Sequence, residues 1–353
     1  MGRGSGIEPE KCDSARRRFP TKLPKQIVAL VTGREPLNAP LQDSNHRSPC
    51  HCRIHESATE QSVSDVLCCV NPRLYPLIVA LYSIAKYGEL AMSRAAFCLS
   101  GSGTLAPLHI GALAAFYDRG IRPNFLVGTS GGSIVCGLLS LGYTPHDLRS
   151  IMLEANFEKL IPYNEWLVPF RHYLASNKNV IAWLKELTHE QAMMDCKIPF
   201  SAVTTDLYSM SSTAHSTLNK EDVHLPVWQA IIASLSIPDV FPMFNGRFVD
   251  GGLMQNLGVS LLPSGPAYAL RVTERTKTGP ITGWIDEQER ILDATLSANE
   301  LESVQLAKVR NIPVINLPAG GYGFLDRGMS KAQKSVLYSA GYNAVVQHLA
   351  NAA

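Results

Sequence analysis

Apolar positions are distributed unevenly along this chain, and their texture changes near residue 95. From there on, short apolar runs alternate with longer stretches of helical spacing. Residues 95–100 (AAFCLS) form an apolar run of strand length, followed by a glycine-bearing turn. Residues 109–118 then read as a helix, with Gly120 as its C-terminal stop. A second buried strand is expected over 125–127, ending at Gly128. Residues 130–141 are apolar on most sides, which predicts a buried helix. Further strands are expected over 200–204, 247–249, 268–272 and 313–317. A helix is expected over 226–234, with Pro226 suited to its first turn, and another over 331–349. Strands alternating with helices predict an α/β domain of three layers, α/β/α, with a mainly parallel central sheet. No internal repeat interrupts this order.

Upstream the pattern is poor. Stretches such as PEKCDSARRRFPTKLPK and APLQDSNHRSPCHC carry little periodicity and bury too little apolar surface to offset ordering. Residues 1–94 therefore read as a poorly structured leader ahead of a domain over 95–353. The leader has one helical segment, 66–92, broken around Asn71-Pro72. Its charges form no basic face, so packing on the domain is favoured over a membrane surface. The longest apolar run, 74–85, contains Pro76 and is shorter than the roughly 20 residues that span a bilayer. No apolar secretory core is visible, and Gly6 stands where a myristoylation motif needs Ser or Thr.

Composition narrows the partners. A formal charge of +2 on 353 residues gives no electrostatic case for nucleic acid. Eight scattered cysteines suggest reduced thiols rather than a disulfide framework. The expected setting is cytoplasmic, with peripheral membrane contact as a further expectation.

Three glycine-bearing turns carry the candidate chemistry. Gly128-Thr129-Ser130-Gly131-Gly132 matches G-x-S-x-G where a buried strand meets a buried helix. A serine on so tight a turn is lifted to the carboxyl edge of the sheet, and the following helix N-terminus favours a developing oxyanion. Ser100-Gly101-Ser102-Gly103-Thr104 also joins a strand to a helix. A dinucleotide site is a poor reading here, because no acidic residue closes the next strand at the required distance. A nest of backbone amides facing the serine is the better one. Phe248-Val249-Asp250-Gly251-Gly252 leaves an aspartate at the end of a short apolar strand, open to a neighbour.

Taken in order, SGSG…HIGAL (100–113), GTSGGS (128–133), TTDL (204–207), SIPDVFP (236–242) and FVDGG (248–252) resemble the patatin-like phospholipases, as a patatin domain of the bacterial type. The similarity covers roughly residues 95–349 and includes the closing GYGFLDRGMSKAQKSVLYSAGYNA. The resemblance implies a serine lipid acyl hydrolase of the phospholipase A, lysophospholipase or esterase type. It implies a Ser130–Asp250 dyad and an oxyanion hole over Gly101, Ser102, Gly103 and Thr104. A lipid or other acyl ester would be the substrate, and no metal or organic cofactor is implied.

Two positions depart from the family pattern. Ser102 stands where glycine is usual. Leu105 stands where the family keeps a lysine or arginine, which predicts a weaker preference for anionic phospholipids and a gain from Leu105→Arg. The altered loop also favours an alternative, a catalytically silent lipid-binding or scaffold protein of the same fold. A third reading is an α/β-hydrolase triad, because Ser130, Asp250 and His348 follow the right order. His109 reads as a helix-start packing residue, Asp206 as a residue ordering a loop near the site. The cluster His46, Cys50, His51, Cys52 and His55 is too compressed for a usual zinc module. Trp166, Trp183, Met193 and Met194 are candidates for an acyl channel, with core packing an equal explanation.

Overall fold

The computed structural model describes residues 93–351, apart from 165–167 and 276–278. The expected leader, its helix over 66–92 and the His/Cys cluster lie outside these residues. Ser93 and Arg94, however, already belong to the first strand.

Strand β1 (Ser93–Leu99) runs through the glycine turn into helix α1 (Ala106–Asp118), which takes Pro107 in its first turn. Strand β2 (Ile121–Thr129) runs into α2 (Gly131–Leu141). Helices α3 (Pro145–Glu154) and α4 (Lys178–Thr188) follow, then the hairpin β3 (Phe200–Asp206) and β4 (Ser211–Ser216). After α5 (Val227–Leu235) come β5 (Phe248–Asp250), β6 (Ala267–Thr273), α6 (Trp284–Val309), β7 (Val314–Pro318) and α7 (Lys331–Asn351). Every strand and helix expected from 95 onward is present. The expectation omitted α3, α4, β4 and α6. Of these α3 carries a legible start, since Thr144 and Asp147 exchange side chain-to-backbone hydrogen bonds in a capping box.

The sheet runs β4-β3-β2-β1-β6-β7, with β5 also on β3. Neighbours from β3 to β7 are parallel, whereas β4 and β5 are antiparallel to β3. Alternation along β1 divides the core. Phe97 and Leu99 join Leu108 and Phe116 of α1 and Leu138 of α2 on one face. Ala96 and Cys98 join Val127, Val203 and Ala307 of α6 on the other. Helices thus cover both faces, as a buried parallel sheet requires.

Two features of register build the site. Strand β4 occupies one edge of β3 from Ser201 to Asp206. Strand β2 occupies the opposite edge only as far as Val203, which faces Thr129. Strand β5 takes up that edge at the next residue, with Asp250 opposite Thr204. The residue after Thr129 and the last residue of β5 therefore meet at one place. Elsewhere, α1 and α7 touch backbone to backbone: a Cβ on Gly111 would stand 1.9 Å from the Tyr338 carbonyl oxygen, and one on Gly341 2.0 Å from that of Leu108.

Candidate active site

Ser130 follows β2 directly and has φ 50° and ψ −126°. A non-glycine residue held there costs about 1–3 kcal/mol, so its surroundings must enforce it. They do so at both ends of the residue. The Ser130 amide donates to Ser234 Oγ at 2.9 Å, and its carbonyl accepts the Ser133 amide at 2.8 Å and the Ser133 hydroxyl at 2.6 Å. Gly131 is pressed against the upstream turn, where a Cβ would lie 2.5–2.7 Å from Gly103 O, Ser102 Oγ and Gly103 N. The elbow and the turn after β1 are thereby in van der Waals contact.

Asp250 closes β5 and is 5% exposed. Its amide donates to Ser236 O and its carbonyl accepts the Thr205 hydroxyl, each at 2.9 Å. Oδ1 accepts the Gly252 amide at 2.7 Å, whereas Oδ2 is buried without a partner of full hydrogen-bond geometry, the Ser130 hydroxyl being close enough to the carboxyl to draw its pKa down. Burial pushes the carboxyl pKa up to about 6, against the pull of the Ser130 hydroxyl and the Gly252 amide beside it.

The glycine turn is narrower in its use than the sequence suggested. The Gly101 amide donates to Asn256 O at 3.1 Å, and the Thr104 amide to Phe324 O at 2.8 Å. The Thr104 hydroxyl also points at Phe324 O, 3.2 Å away. Of the four expected donors, Gly101 and Thr104 are thus committed to structure. Ser102 and Gly103 keep amides without a backbone acceptor among the described residues. Gly103 has φ +51°, and a Cβ there would collide with Phe324 O at 2.0 Å, so this position needs glycine.

Ser130, Asp250, Gly101, Ser102 and Gly103 line one cleft of about 390 Å³, its mouth included. Asn256 and Arg275 add polar groups, and the rest of the wall is Ile237, Pro238, Leu253, Leu292, Leu296 and Phe324. The sequence reading singled out none of these as site residues, although Ile237 and Pro238 fall in its SIPDVFP stretch and Phe324 in its closing one. The aromatic and methionine candidates are not among them: Met193 is buried in the main core, Trp183 packs against that core, and Met194 is exposed. Trp166 lies outside the described residues.

Leu105 requires a correction. It is fully buried in the main core rather than facing the cleft. The absence of a cation at this position therefore does not bear on the substrate, and an arginine here would be an unpaired charge in apolar surroundings. His348 meets Tyr268 edge-on with ring centroids 6.4 Å apart, and no histidine among the described residues lines the cleft. His109 is fully buried, its Nε2 3.0 Å from Ser100 O, and burial lowers its pKa to about 4; it packs under the turn as a neutral ring. Asp206 takes the Tyr208 amide, the Ser209 hydroxyl and both arms of Arg247, and so orders the β3–β4 turn.

Known proteins resemble the chain over this region. The family model for patatin-like phospholipase matches residues 97–263. A patatin-like phospholipase domain-containing protein of Aspergillus oryzae is 26% identical over 172 residues, 45% of this chain and 23% of that protein. The triacylglycerol lipase ptl2 of Schizosaccharomyces pombe is 26% identical over 208 residues, 50% of this chain and 32% of the relative. The chain thus spans less than a third of either relative's length. Among solved structures, VipD from Legionella pneumophila superimposes with a TM-score of 0.51 at 13% identity, covering 74% of this chain and 67% of that one. That likeness concerns the fold alone.

Proposed function

We propose that the chain is a serine acyl hydrolase acting on lipid esters through Ser130 and Asp250, a reading supported by the patatin-like phospholipase model that matches residues 97–263. The observation that carries the reading is the strained Ser130 held beside a buried carboxyl that retains one unpartnered oxygen. Ser130 Oγ attacks the acyl carbonyl and its proton passes to Asp250. The oxyanion that forms is met by the amides of Ser102 and Gly103, in the turn packed against the N-terminus of α2. Collapse expels the alcohol, which takes the proton from Asp250 and leaves an acyl-enzyme. Water then repeats the sequence and releases the acid. A carboxylate is a weak base for a hydroxyl, and burial that lifts its pKa to about 6 narrows the mismatch. The apolar wall suits an acyl chain. The substrate we assign is therefore an acyl ester presented by a lipid, met at a membrane or droplet surface.

A fluorophosphonate probe tests the assignment. It should label Ser130 alone, and Ser130→Ala and Asp250→Asn should each reduce hydrolysis of a short chromogenic ester by at least about a thousandfold, with no further loss on combination. Retained turnover in Asp250→Asn would remove the aspartate from the mechanism. Lipid binding without turnover in the native protein would favour the silent lipid-binding reading instead.

A further inference from the structure

Buried oxygens of Ser102 Oγ, Asp250 Oδ2 and Asn256 Oδ1 complete no hydrogen bond, and all belong to residues that line the cleft. An unsatisfied buried polar atom is uncommon enough to need a reason. Asn256 is fully buried, six residues beyond Asp250, and its carbonyl holds the Gly101 amide. Its Oδ1 would lie 2.3 Å from a Cβ on Gly101, a point itself 3.5 Å from Ser130 Cβ. A Cβ on Gly252 would lie 2.9 Å from Asn256 Oδ1 and equally 2.9 Å from Asp250 Oδ1. The amide oxygen therefore lies near both nucleophile and carboxylate.

The orientation of that amide is fixed by chemistry. Asn256 Nδ2 donates to Glu300 Oε1. Glu300 is fully buried and also receives Arg271 Nε at 2.6 Å and Arg275 Nη1 at 2.8 Å. A carboxylate facing two guanidinium groups has only acceptors to offer, so it selects the NH2 end of the asparagine and leaves Oδ1 as the acceptor without a partner.

We propose that Asn256 is a further catalytic residue, whose Oδ1 orients the water that cleaves the acyl-enzyme. This rests on the acyl-enzyme reading above. A water that attacks must aim a lone pair at the acyl carbon, so both of its hydrogens need acceptors. Asp250 takes one as the proton to be removed, and Asn256 Oδ1 takes the other. The water oxygen bonds to the acyl carbon as one proton passes to Asp250. Collapse of the oxyanion breaks the bond to Ser130 Oγ, which recovers the proton from Asp250. The acid leaves with the second hydrogen as its own hydroxyl. An alcohol has only one hydroxyl hydrogen and needs only Asp250.

That difference is the test. Wild type and Asn256→Ala are supplied with a p-nitrophenyl ester in buffer containing methanol, and free acid and methyl ester are measured together. In Asn256→Ala the first burst of nitrophenol should persist, while the methyl ester to acid ratio should rise by about tenfold or more. Both products come from one acyl-enzyme, so the ratio is independent of the fraction folded. Asn256→Asp should restore the wild-type ratio, because a protonated aspartate can donate to Glu300 and still present an oxygen. If alanine leaves no active protein, Asn256→Leu is read by the same ratio with the same expectation. An unchanged ratio, with both products falling together, would overturn the proposal and make Asn256 a structural residue. A wild type without a burst or without labelling of Ser130 would instead overturn the acyl-enzyme reading itself.

Discussion

At the scale of single residues, Asp250 shows how function is set against stability. Its pKa in the folded chain is raised from 3.8 to about 6 by burial, so between these values the folded state binds more protons than the unfolded one. Stability contributed by this group is therefore present below about pH 4 and lost as pH rises through 6. Asp250→Asn should be more heat-stable than wild type at pH 8, by roughly 1–3 kcal/mol, with the gap closing toward pH 4. In wild type, kcat/KM should climb through about pH 6 as the base ionises. Melting curves and rate profiles over pH 4–9 check both, and equal melting temperatures at pH 8 would show that the carboxylate is better solvated than its burial implies. Ser130 and Asp250 were legible because each is announced by glycines directly beside it. Asn256, Arg275 and Glu300 were not, since the bonds that define them join residues 25–44 positions apart. Leu105 misled for a related reason: its place in a motif is visible in sequence, but the direction of its side chain is set by the core.

Among the elements, α6 is the one whose omission cost most. Its sequence, WIDEQERILDATLSANELESVQLAKV, places charges on nearly every turn and few residues deep in the core. It nonetheless supplies Leu292 and Leu296 to the cleft, Asn299 to the amide of Asn256, and Glu300. By contrast α2, buried along its whole length, declared itself through unbroken apolar character. Strand β4 was missed because SSTAHS has neither apolar alternation nor a β-branched run. If Leu292 and Leu296 receive the acyl chain, Leu296→Trp should shorten the preferred ester. The rate on long-chain esters should fall about tenfold or more relative to acetate or butyrate esters. A uniform loss across chain lengths would place the acyl group elsewhere. Leu296 is a useful position because its Cδ2 already approaches Gly252, next to the carboxylate.

For the whole molecule, the segment matched by the family model ends at residue 263, yet the fold does not. Strand β6 is the second neighbour of β1, β7 extends the sheet, and α7 lies against α1. Part of the cleft wall, from Arg275 to Phe324, also comes from this later half. A chain cut after residue 263 should therefore be insoluble or unfolded by circular dichroism. Deletion of residues 1 to about 64 should leave folding and ester hydrolysis intact, because that stretch lacks the periodicity of a packed element. Loss of folding in the second case would mean that the leader docks on the domain.

The backbone contact between α1 and α7 has a consequence for synthesis. Tyr342 bonds Asp118 across 224 positions of chain, and at 5–20 residues per second a ribosome needs about 10–45 s to travel that far. For most of that interval the groove around Gly111 is uncovered, and one edge of β1 stays unpaired until β6 has been made. The glycine turn after β1 therefore cannot take its final shape until Phe324 has been made. A growing polypeptide of this kind offers apolar surface to whatever holds nascent chains.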